Sequence, residues 1–190
     1  MRGEVGERPP SYFIYFKYFF LTMGIATTIG GLIGHAFIYA FTFGWKVPGW
    51  IMSMLSVALI ERSAILHAQP LMKRSIGKFF AVLNLVELIT FIFISIFTLN
   101  FLFVEIHATY GLMLVVFSFE LFVFIKTKDK GSRYILLAVA LAALSAIIHL
   151  NKISLHQWFN FNDISHVLMA ISAWLFYKGA LLIKNAELRM

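Results

Sequence analysis

Roughly two thirds of this 190-residue chain is taken up by six apolar stretches, each near the length that crosses a bilayer. A helix needs about 20 mostly apolar residues to span the hydrocarbon core. By that measure the expected spans are Phe16–Phe43, Trp50–Ala68, Phe79–Thr98, Phe101–Ile125, Tyr134–Leu150 and Ile164–Ile183. The connections are short: Gly44–Gly49, Gln69–Lys78, a tight turn at Leu99-Asn100, Lys126–Arg133 and Asn151–Asp163. This pattern predicts one all-α, polytopic membrane bundle with no separate soluble domain. Composition agrees. Hydrophobic residues are 61% and charged residues 13%, too little polar surface to cover a water-facing globule. A soluble enzyme, a disordered chain and a nucleic-acid binder are all poor fits. The chain has no cysteine, which excludes disulfides, thiol catalysis and thiolate metal sites. The Tyr/Phe-rich run from Tyr12 to Phe20 reads as an interfacial aromatic belt. The first span is too long and too aromatic for a cleaved signal peptide.

The lysines and arginines orient the bundle. With six spans, one side receives Arg2, Arg8, Lys17, Lys73, Arg74, Lys78, Lys126, Lys128, Lys130, Arg133, Lys178, Lys184 and Arg189. The other side receives Lys46 and Lys152, and Arg62, inside the second span, is assigned to neither. Thirteen against two predicts both termini in the cytoplasm. The expected location is a bacterial inner membrane. The basic loops are expected to meet anionic lipid headgroups, at about 1 kcal/mol per residue. No dense basic segment stands apart for nucleic acid.

That topology assigns each intramembrane polar group a depth, and such groups are costly enough to be functional candidates. His35, His107, His149, His156 and His166 all fall in the outer half or just beyond it. Glu105, Asn162 and Asp163 lie at the same level. A deeper or cytoplasmic set comprises Glu61, Arg62, Ser63, His67, Asn84, Glu87 and Glu120. Glu61, Asn84 and Glu87 are expected to face the bundle interior, because a carboxylate facing lipid costs several kcal/mol by most scales, about 2.5–3.5 on the lowest. A lone membrane histidine is often only a helix-packing residue. Five at one depth suggest metal ligation, since imidazole is the commonest biological metal ligand. Asn162 and His166 are one turn apart on a single helix face. Asp163 has an equally good reading as a first-turn acid at the positive end of the last helix.

Two stretches carry a family resemblance. One is Thr28-Ile29-Gly30-Gly31-Leu32-Ile33-Gly34-His35. The other is Trp158-Phe159-Asn160-Phe161-Asn162-Asp163-Ile164-Ser165-His166-Val167-Leu168-Met169, followed by Trp174-Leu175-Phe176-Tyr177-Lys178-Gly179-Ala180. Together they resemble bacterial members of the alkaline ceramidase and adiponectin-receptor-like superfamily of membrane hydrolases. The resemblance implies zinc held by histidines from an early helix and the last helix, and hydrolysis of a lipid amide by zinc-activated water. It matches His35 to the early-helix ligand and His166 to the later last-helix ligand. It also departs from the family pattern. Gly31 stands where the family has a serine, Asn162 where it has the other last-helix histidine, and span two has no aspartate. The family has seven helices against six here.

The leading expectation is thus a zinc-dependent hydrolase acting on a lipid amide or ester from the outer leaflet. His35 and His166 are the metal ligands, with His107 or His149 as further ligands and Asn162 beside them. Asp163 and Glu105 are the candidate acids. The alternatives are a non-catalytic lipid- or metal-binding protein of the same fold, a b-type haem electron carrier using intramembrane histidines, and a proton or ion pathway through Glu61, His67, Asn84, Glu87 and Glu120.

Overall fold

A computed structural model describes residues 11–187 of the chain. Arg2, Arg8 and Arg189 of the charge count lie outside the described residues. Within them there is no strand, only an isolated antiparallel bridge between His156 and Phe159. Six helices are long and apolar enough to cross a membrane: Tyr12–Ala36, Phe43–Leu71, Arg74–Thr98, Leu102–Thr127, Lys130–Leu150 and Phe161–Ile183. The fold is the expected all-α bundle of six spans.

The boundaries differ from the expected ones for local reasons. Helix α1 (Ser11–Ile29) runs straight through the aromatic stretch and then loosens into a π-helical turn over Gly30–Ala36. Three glycines in this short segment weaken the regular helix, at about 1 kcal/mol each relative to alanine. The span therefore ends at Ala36, well short of Phe43. Gly44–Gly49, expected as a linker, is already helical. A 3-10 turn over Phe43–Lys46 leads into α2 (Val47–Ala68), with Pro48 in the first turn, where its missing N–H breaks no bond. Helix α3 is Arg74–Thr98. The fourth span is broken by a second π turn, Tyr110–Val116, which joins α4 (Leu102–Thr109) to α5 (Phe117–Thr127). Helices α6 (Lys130–Leu150) and α7 (Phe161–Glu187) complete the bundle.

Two of the reversals are made without glycine. Leu99 ends α3 and Lys128 ends α5, each left-handed, at φ 49° and 56°. Asn100 Oδ1 then accepts from the Leu102 N–H at 3.0 Å, and Asp129 Oδ2 accepts from the Ser132 N–H at 2.6 Å. Each such cap is worth about 1 kcal/mol.

Helix α2 is the buried axis. Met54, Ile60, Ala64, Ile65 and Ala68 are each at most 1% exposed. Helix α2 touches α1, α3, α4 and α5; α5 meets α6, α6 packs along α7, and α7 returns to α1. The main core gathers Phe16, Phe19, Ile60, Val116, Val139 and Phe176. Helix α3 lies outside this ring, against α2 and α4, and turns Phe79, Val82, Phe93 and Phe97 outward. In a bilayer those side chains are solvated by acyl chains. The α6–α7 pair is held by small residues. A Cβ on Gly131 would collide with Ile183 and stand 2.8 Å from the Gly179 carbonyl oxygen. Ser145 and Ser165 each donate to the other's carbonyl, at 3.0 and 3.2 Å, and Ser172 donates to the Ala138 carbonyl at 2.8 Å. Close approach plus interhelical hydrogen bonds is how helices associate where lipid removes the hydrophobic drive.

The lysine and arginine count makes a direct prediction for orientation. Because the native chain has no cysteine, single cysteines at Lys130 and Gln157 report cleanly. A membrane-impermeant maleimide on intact cells should label position 157 and spare position 130. The opposite pattern would invert the bundle.

Candidate functional site

Two of the histidines separated by most of the chain come together. The rings of His35, in the first π turn, and His166, early in α7, have centroids 6.0 Å apart and meet edge to face at 80°. Both side chains are exposed rather than packed into the core. His166 Nδ1 lies 2.6 Å from the Asn162 carbonyl oxygen, one turn back on its own helix. A carbonyl can only accept, so Nδ1 carries the proton and Nε2 keeps its lone pair. This is the arrangement in which a histidine ligates through Nε2. The partner is the Asn162 main chain, not the Asn162 amide that the sequence suggested.

The pair borders a cavity of about 790 Å³ running between α1, α2 and α7. Its wall is apolar, with Phe19, Met23, Trp50, Leu112, Met169 and Phe176. Lys46 also lines it, with its ammonium 5.3 Å from the Phe43 ring centroid. A second cavity of about 780 Å³ lies on the α4–α6 side and carries Glu105, His149, Ser145 and Ser165. His166 lines both. These volumes fall in the usual range for small-molecule sites.

Glycine makes the first cavity. A Cβ on Gly30, Gly31 or Gly34 would have nothing within 4 Å, and Gly30 and Gly34 line the space. These glycines hold room open instead of allowing helices to touch. Gly34→Leu is therefore expected to fold at least as well as the native chain while filling the cavity. Thermal unfolding in detergent, together with retention of co-purified lipid by mass spectrometry, checks this. Unchanged lipid retention would show that nothing occupies that space.

The remaining candidates are distributed as follows. Asp163 Oδ2 accepts from the Asn160 N–H at 2.9 Å, and Asn160 Oδ1 accepts from the Asn162 N–H at 2.8 Å. Asp163 thus closes the start of α7, its helix-end role, and is half-buried. His149 stacks edge-on against Phe161, 5.4 Å between centroids, where α6 and α7 diverge. His156 is exposed in the α6–α7 loop and accepts from the Trp158 N–H at 3.2 Å. His107, expected as a further ligand at the His35 level, faces the other way. It is fully buried, 3.8 Å from Glu87, with Phe91 edge-on to its ring. The α4 turn that carries it packs toward α2 and α3.

The deeper set divides in two. Ser63 donates to the Tyr12 carbonyl at 2.9 Å, and His67 Nδ1 lies 3.2 Å from Glu120. Glu61 and Asn84 are buried, and Glu87 is half-buried, as their cost in lipid required. Lys46 and the cavity glycines went unnoticed as site residues from sequence. Lys46 counted there only as a loop charge, and the glycines only as part of a motif.

The chain belongs to the DUF6962 family, a family of unknown function, whose model matches residues 2–185. No curated protein and no solved structure matches the chain.

Proposed function

We propose that this protein is a membrane hydrolase that takes a lipid amide or ester from the leaflet at the His35 end of the bundle. The observation that carries the reading is the convergence of His35 and His166, 6.0 Å between ring centroids, on the wall of a 790 Å³ apolar cavity. The cavity accommodates an acyl chain away from water, and its histidines and Lys46 supply the few polar groups that fix the head. The family-like segments around both histidines point to the same chemistry.

Two imidazoles offer two neutral nitrogen donors to zinc, and the proton on His166 Nδ1 leaves its Nε2 for that role. Among the described residues no third His, Asp or Glu joins them as a compact ligand group. His35 and His166 would hold the ion, one donor short of the three protein ligands usual at a catalytic zinc. Bound zinc supplies a Lewis acid and a water acidified toward a pKa of about 7. The chain's own residues do the rest. The α7 turn orients His166, the apolar wall excludes water from the acyl chain, and Lys46 is placed to bind an anionic head. Glu105, in the first turn of α4, lines the second cavity, a space shared with His166. It is the proposed proton donor to the leaving group.

The absence of a third ligand favours a second reading, lipid binding without turnover. One experiment separates the two. Protein purified in detergent is assayed for metal content and for fatty acid release from an N-acyl amide and an acyl ester of equal chain length. Zinc with release supports the hydrolase. Lipid retained in the cavity with neither zinc nor release supports the binding protein.

A further inference from the structure

A different cluster satisfies the three-ligand condition that the His35–His166 pair does not. Glu61 of α2, Glu87 of α3 and His107 of α4 place one ligand atom each within 4.8 Å of one another. Glu61 and His107 are 0% exposed. Glu61 Oε1, both carboxylate oxygens of Glu87 and both ring nitrogens of His107 are buried without a hydrogen-bond partner. A buried polar atom left without a partner is costly, and here five gather in one place.

No neighbouring side chain supplies it. The cation closest in sequence, Arg62, is committed elsewhere. Its Nε donates to Asn84 Oδ1 at 3.1 Å and its Nη2 to the Ala81 carbonyl. Among the described residues neither Glu61 nor Glu87 forms an ion pair with lysine or arginine. Direct pairing within the cluster also fails, because His107 Nε2 and Glu87 Oε1 are 3.8 Å apart, beyond a hydrogen bond. That spacing does suit two atoms sharing an ion. Bonds of about 2.0–2.2 Å to one ion put two ligands at most about 4.4 Å apart, when they stand opposite each other. The widest pair needs to close by less than about 1 Å.

The surroundings hold the ligands in place. Asn84 Nδ2 donates to Glu61 Oε2 at 3.0 Å and to the Ala58 carbonyl at 3.2 Å, which pins one carboxylate oxygen and leaves Oε1 to the cluster. Gly111, in the turn after His107, lies against Glu61 so closely that a Cβ there would collide with its Oε1 and with Val57. The π turn Tyr110–Val116 starts immediately beyond α4, and π turns are frequent at functional sites.

We propose that Glu61, Glu87 and His107 form a binding site for one divalent transition-metal cation, separate from the His35–His166 pair. Two carboxylates and an imidazole are the donor set of zinc, manganese or ferrous iron. Two negative charges balance a divalent ion in a setting where unbalanced charge is costly. The ion would also tie α3 to its neighbours. That helix packs on α2 and α4, with Phe80 edge-on to Phe119 of α5, and turns its outer face to lipid.

The test uses the full chain in detergent, stripped with chelator and reloaded with Co²⁺ or Mn²⁺. Bound ion is counted by elemental analysis and by the cobalt absorption spectrum or manganese resonance. Each of Glu61→Gln, Glu87→Gln and His107→Gln should lose one ion per chain that His35→Ala retains. Asn84→Ala should weaken that ion about 10–100-fold, as removal of a ligand's orienting partner does. Hydrogen exchange should show α3 protected by metal in the native chain and not in Glu87→Gln, whose nearly isosteric amide preserves packing. Unchanged ion content in all three glutamine variants would overturn the site. So would a cluster that takes up no ion while infrared spectra show a protonated carboxyl lost in Glu61→Gln, which would make it a proton-holding group. An ion lost only from His35→Ala or His166→Ala would overturn it as well, while leaving the hydrolase reading standing.

Discussion

His166→Ala is expected to abolish hydrolysis and to lose one zinc per chain, and His35→Ala to do the same, with the bundle still folded and the Glu61–Glu87–His107 cluster untouched in each. Both side chains border the cavity and lie outside the packed core, so truncating them leaves no void among helices. The informative companion is Asn162→Ala. His166 is oriented by the Asn162 carbonyl at 2.6 Å, and every residue has a carbonyl. Removing the amide should therefore leave zinc affinity within about twofold, where loss of a side-chain orienting partner costs about 10–100-fold. Elemental analysis of the three variants, with fatty acid release measured alongside, checks all of this. A large loss in Asn162→Ala would return that role to its side chain. A zinc content unchanged from the native chain in both histidine variants would remove the pair from the metal chemistry.

Gly131→Leu should produce the largest loss of stability of any single glycine change in α6 and α7. The added side chain has to enter the space held by Ile183 and the Gly179 carbonyl, and backbone cannot turn aside as a side-chain tip can. Overpacking of this kind costs about 1–3 kcal/mol, and occasionally more. The gain of about 1 kcal/mol in helix propensity does not offset it. Gly30→Leu is the matched control. Its Cβ would meet nothing within 4 Å, so the propensity gain stands unopposed. Thermal unfolding followed by circular dichroism should separate the two variants in opposite directions. Equal behaviour would mean that α6 and α7 are not held by this contact.

Hydropathy alone located all six helices, because length and apolarity are local properties of sequence. It placed the turn at Leu99-Asn100, but drew the basic connection over Lys126–Arg133, where only Lys128 and Asp129 lie outside a helix. It misplaced the end of the first span, since Phe37–Phe43 is as apolar as what precedes it while the three glycines had already loosened the helix. It also read the helical start of α2 as a linker, through Gly44, Pro48 and Gly49. The burial of Glu61 and Asn84 was legible too, because the cost of an ionised group in lipid leaves few other places for it.

Partners were a different matter. His107 was expected at the depth of His35, yet it meets Glu61 and Glu87 of the set expected to lie deeper. Which way His107 turns depends on the azimuth of α4 against α2 and α3, which no single helix encodes. The same holds for Glu61 and Glu87, 26 positions apart in sequence and joined only when α3 docks. Asp163 carried two readings at the outset, and the bond from the Asn160 N–H gave it the helix-end one. The sequence determined which helices are long and apolar enough to cross a membrane, because length and apolarity are read residue by residue. Only the tertiary structure decided which polar groups meet, because that depends on how helices rotate and pack against one another.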